Sequence, residues 1–103
     1  MELPQSSNVF GQSKGPLSKA EIAEAFSRSG WECRKCAWHD HEIRNDYSEL
    51  VIDGEDHDNL IHGVVSDPQI NIPHISRILT DLGLQWSFEI QDLSGDQVAY
   101  FSS

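Results

Sequence analysis

The sequence is poor in positive charge. Seven Lys and Arg face seventeen Asp and Glu, a formal net charge of −10. Nucleic-acid backbones and anionic membranes call for basic patches, so neither is an expected partner. The expected partner is a basic protein. No apolar run approaches the ~20 residues of a membrane span, and the opening residues MELPQSSNVFGQ lack the basic region and apolar core of a secretory signal. These absences predict a cytoplasmic protein whose two cysteines are reduced. Catalytic signatures are missing too. There is no GxSxG elbow and no Gly-rich phosphate loop, so no catalytic residue, cofactor or enzymatic activity is expected.

What remains is enough for one folded domain. The chain has 103 residues, 38 % of them hydrophobic and 9 % aromatic, beyond what a disordered acidic tail carries. The acidity is concentrated in residues 40–58, DHEIRNDYSELVIDGEDHD, where eight carboxylates accompany one base, Arg44. Leu50-Val51-Ile52 within it has the pattern of a buried strand between acidic turns.

Residues 1–16 mix Pro, Gly, Ser, Gln and Asn without a period and predict a flexible N-terminal arm. Val9-Phe10 is the exception there, able to add a short strand or dock on the core. Residues 17–103 form the expected domain. Ser18 and Glu21 have the spacing of a capping box, with Leu17 and Ile22 as a hydrophobic staple. Ile22, Ala25 and Phe26 make the inward stripe of a first helix, stopped at Gly30. Strands are expected at 31–38, 47–53 and 60–65, with 39–45 a polar connection. A second helix is expected from Asn71 as N-cap, with Pro73 in its first turn and Ile72, Ile75, Leu79 and Leu82 at helical spacing. Leu84, Trp86, Phe88 and Ile90 alternate with polar residues in the clearest strand, and a DLSGD turn leads to a last strand at 97–101. The expectation is an α+β fold: a largely antiparallel five-stranded sheet with two helices packed on one face, in the order αβββαββ.

Three constellations carry possible chemistry. Cys33, Cys36, His39 and His41 are residue types that zinc favours, but strand geometry places the two cysteines on opposite faces and a second Cys pair is absent, so no metal site is expected. Residues 53–58 offer oxygen ligands without the DxDxDG spacing of a calcium loop. In the expected strand 47–53, Ser48, Leu50 and Ile52 share one face and Tyr47, Glu49, Val51 and Asp53 the other. With Glu55, Asp56 and Asp58 in the following turn, Tyr47, Glu49 and Asp53 make a candidate partner-binding surface, an aromatic anchor among steering charges. The bland alternative is a solvated face of good strand formers.

In size, acidity and α+β order, residues 17–103 resemble the small immunity proteins that neutralise bacterial toxins. The resemblance implies a stoichiometric inhibitor covering a toxin's basic active site. It rests on no motif and transfers no residue roles. The helix–three strand–helix–two strand order is also similar to type III secretion chaperones, which bind an effector segment, although the chain ends without that family's final helix. A zinc-binding module built on the Cys33/Cys36/His39/His41 cluster is the remaining alternative.

Overall fold

Val9, which with Phe10 was the exception in the expected flexible arm, lies wholly buried inside the sheet. The computed structural model describes residues 6–35, 40–92 and 94–103, and in it the N-terminal segment is strand β1 (Ser6–Lys14). The chain continues through α1 (Lys19–Arg28), β2 (Glu32–Lys35), β3 (His41–Arg44), β4 (Ser48–Glu55), β5 (Asp58–Ser66), α2 (Pro68–Asp81), β6 (Gln85–Gln91) and β7 (Gln97–Ser102). The strands form one antiparallel sheet in the order β2-β3-β4-β5-β1-β6-β7. The sheet thus has seven strands where five were expected, and the order is βαββββαββ.

Two segments account for the difference. Residues 41–44, expected to be a polar connection, pair on both sides as β3 and bury Ile43 in the core. Residues 6–14 pair with β5 on one side and β6 on the other. The inward positions of β1 after Val9 are Gly11 and Ser13, and small side chains there have a physical reason. A Cβ on Gly11 would stand 2.4 Å from the Phe88 ring, so only glycine lets that ring lie flat on the strand. Ser13 is buried and its hydroxyl donates to Asn59 Oδ1 at 3.0 Å.

Helix α1 forms as its spacing predicts. Glu21 N–H donates to Ser18 Oγ at 3.2 Å, and Ser18 N–H donates to Glu21 Oε1 at 3.0 Å. Those two bonds hold the Glu21 carboxyl below its ordinary pKa. Helix α2 begins earlier than expected. Pro68 takes the first turn, left-handed Asp67 is the N-cap, and Pro73 falls inside the helix. Asn71 is therefore not a cap. Its amide instead donates to the Ser66 carbonyl, tying the helix to the end of β5.

Both helices pack on the same face of the sheet. Ile22, Ala23 and Phe26 of α1 and Ile72, Ile75 and Leu79 of α2 meet the inward residues Val9, Ile43, Leu50, Ile52, Ile61, Val65, Phe88 and Ile90 in one core. Each large side chain buried this way contributes ~1.5–3 kcal/mol before entropy is counted. Among the described residues, no helix is long and apolar enough to cross a membrane.

Candidate interaction surface

The face opposite the helices has no covering layer among the described elements. Antiparallel partners share a face, so register alone defines its side chains. One row runs Glu42–Val51–His62–Phe10–Glu89–Tyr100 across β3, β4, β5, β1, β6 and β7. At ~4.8 Å between strands this row spans about 24 Å. Beside it lies Asp53–Leu60–Gln12–Ser87–Ser102. Phe10 and Leu60 are each 48 % exposed and Tyr100 is 59 % exposed. Together with His62, Ser87 and Glu89 they line a shallow depression of about 400 Å³.

Carboxylates surround this apolar centre. Asp53 Oδ2 lies 2.6 Å from His62 Nε2, which orients the imidazole along the sheet. Asp58 accepts from Gln12 Nε2 at 2.8 Å, and Glu89 accepts from Gln91 Nε2 at 3.2 Å. Towards the β2 edge, Arg44 pairs with Glu32 at 2.8 Å and Arg34 with Glu42 at 3.1 Å. The Glu32 hydrogen bond and charge, followed by the fields of Glu42 and Glu49, raise the Arg44 pKa further and keep it cationic. Among the described residues Glu49 and Glu55 have no ion pair. The charge of Glu55 is left to act on solvent and on whatever approaches, and Glu49 shares its field with Arg44 opposite it on β3.

The residues singled out in the sequence divide into three places. Glu49, Asp53, Glu55 and Asp58 share the open face. Tyr47 does not join them. It precedes β4, and its ring meets Trp31 edge-on at 5.6 Å and lies 6.3 Å from the His74 ring of α2, on the helix side. Strict alternation cannot place a residue before the strand's first ladder position, and the edge-on Trp31–Phe26 pair at 5.0 Å draws the tyrosine against it. Asp56 is diverted as well. Its Oδ1 accepts the Lys19 N–H at 2.9 Å, so the β4–β5 turn caps α1 from outside. Lys19 Nζ returns to the Gly54 carbonyl at 2.6 Å, and His57 N–H donates to the Leu17 carbonyl at 3.3 Å. That carboxylate is committed to the fold.

None of Phe10, Leu60 and Tyr100 was expected to bind a partner, and Phe10 was singled out only as able, with Val9, to add a short strand or dock on the core. A signal existed in β1, where Phe10 and Gln12 alternate against Val9, but the surrounding Ser, Gly and Gln hid it. Cys33 sits on the helix side, its thiol donating to the Ala23 carbonyl at 3.2 Å, and partial burial raises its pKa. Cys36 and His39 lie outside the described residues. Among the described residues, no group of three His, Cys, Asp or Glu is placed to hold a metal ion.

No known family model, curated protein or solved structure matches the chain.

Proposed function

We propose that the domain is a binding module for a basic protein and that it works as immunity proteins do, inhibiting a bacterial toxin by covering its cationic surface. The observation that carries this reading is the uncovered sheet face, where exposed Phe10, Leu60 and Tyr100 sit among Asp53, Asp58 and Glu89. Aromatic and aliphatic anchors inside a charged surround form the usual anatomy of a protein interface. A net charge of −10 would draw a cationic partner in and speed the encounter. Glu49 and Glu55 do the steering, and the ring pair Phe10 and Tyr100 does the anchoring. Neither Tyr47 nor Asp56 belongs to this surface.

The test is kinetic and uses any cationic protein recovered by co-purification from the native cells. Glu49→Lys with Glu55→Lys should slow association and flatten its salt dependence. Phe10→Ala with Tyr100→Ala should speed dissociation by about thirtyfold or more, the ~2 kcal/mol of a hot spot. A toxin reading further requires that the partner's activity fall to zero at equimolar domain. Unchanged kinetics in both folded double variants would reduce the face to a solvated surface.

A further inference from the structure

The two edges of the sheet are unlike. Strand β2 is four residues, Glu32–Lys35, with a charge at three of them. Short, charged edges resist pairing with another chain. Strand β7 is six residues, QVAYFS, with no charge and no proline. Val98 and Tyr100 on it are both 59 % exposed. Nothing among the described residues pairs with its outer side.

Register identifies the groups that this edge offers. Ser103 N–H donates to the Trp86 carbonyl at 3.0 Å, so Ser103 turns its backbone groups towards β6. Alternation along an antiparallel ladder then turns Phe101 the same way and Ser102 and Tyr100 the other way. The N–H and C=O of Tyr100 and Ser102 therefore face outward, while their side chains lie on the open face opposite Glu89 and Ser87. An incoming strand would meet hydrogen-bond partners and the exposed Tyr100 ring, at the rim of the depression, together.

Charge selects the occupant. No Lys, Arg or His follows Arg77, whereas Glu89, Asp92 and Asp96 lie in the β6–β7 hairpin. We propose that an extended, basic segment of the partner protein adds to β7 as an eighth strand, with alternate Lys or Arg side chains on the open face, their stems over Tyr100 and their charges towards Glu89 and the hairpin acids, and its apolar residues on the helix side. This rests on the basic-partner reading above and adds the docking mode. A second copy of the chain would bring a net charge of −10 against −10, which disfavours self-pairing.

The experiment uses the full chain and three short peptides: one alternating valine and lysine, one with glutamate for lysine, and a proline-interrupted twin of the lysine peptide with equal charge. NMR titration with amide exchange supplies the readout. The valine–lysine peptide should bind about tenfold tighter than its proline twin and slow exchange of the Tyr100 and Ser102 amides by about tenfold or more. Ser102→Pro removes one outward N–H, leaves the β6 ladder intact and should weaken that peptide by about tenfold. Equal binding of the proline twin, with shifts spread over the open face, would overturn strand addition while leaving the basic-partner reading standing. Equal binding of the glutamate peptide would overturn both, and absence of binding by any peptide would overturn strand addition. Self-association abolished by Ser102→Pro would assign the edge to a second copy instead.

Discussion

Replacing Val9 by alanine should destabilise the protein by about 2.5 kcal/mol, because β1 is structural. Val9 is fully buried between Gly63 of β5 and Ile90 of β6, its cross-strand partners. The substitution removes two methyl groups at ~0.8 kcal/mol each. Partial collapse would leave a cavity of roughly 40 Å³, adding about 1 kcal/mol at ~24 cal/mol per Å³. For a domain of this size the melting temperature should fall by about 10–20 °C. Phe10→Ala is the internal control, one residue on and facing the other way, and should cost no more than about 1 kcal/mol. Urea titration followed by tryptophan fluorescence reads both, with buried Trp31 as one reporter. A flexible arm would leave both variants at wild-type stability. Val9→Ala within ~0.5 kcal/mol of wild type would refute the central placement of β1.

Other outcomes follow from single contacts. Gly63→Ala should cost several kcal/mol or prevent folding, since Gly63 has φ +153° and an added Cβ would stand 2.1 Å from the Glu49 carbonyl oxygen; soluble yield and thermal melting check it. Asp56→Ala should cost about 1 kcal/mol by stranding the Lys19 N–H, whereas Asp58→Ala, losing only an exposed bond to Gln12, should stay within ~0.5 kcal/mol in the same denaturant assay. His41 has its pKa lowered, by burial first and then by the charges of Lys35 and Lys19. Its contribution is thus present above the ordinary histidine range and lost as pH falls through the lowered value. His41→Gln should flatten the loss of stability below pH ~6.5, and an unchanged slope in chemical denaturation across that range would contradict it.

Much of the fold was legible because several elements carry redundant local signals. Ser18 and Glu21 announce α1 through a reciprocal pair of bonds that needs no tertiary context. Phe88 and Ile90 announce β6 by clean alternation, and both are fully buried. Strand β1 was legible only at Val9-Phe10, because its inward side is Val9, Gly11 and Ser13, and the glycine answers to Phe88, nearly eighty residues away. Strand β3 escaped because Ile43 alone in HEIR is apolar and its neighbours are charged or imidazole. The same distinction governs the candidate surface. Glu49 and Asp53 were readable as one face by alternation, whereas Glu55 and Asp58 were expected in the turn and join that face because β4 runs on to Glu55 and β5 starts at Asp58. Asp56 and Tyr47 were captured by Lys19 and Trp31, contacts that no spacing within residues 47–58 encodes.

The central claim is that the open face meets the partner. Hydroxyl-radical labelling of the protein, alone and saturated with a basic protein recovered by co-purification, tests it side chain by side chain. Phe10, Leu60 and Tyr100 should each lose most of their labelling in the complex, while Ile70 on α2, 63 % exposed on the helix side of the molecule, should be labelled as before. Protection of Ile70 with Phe10, Leu60 and Tyr100 unchanged would contradict the account.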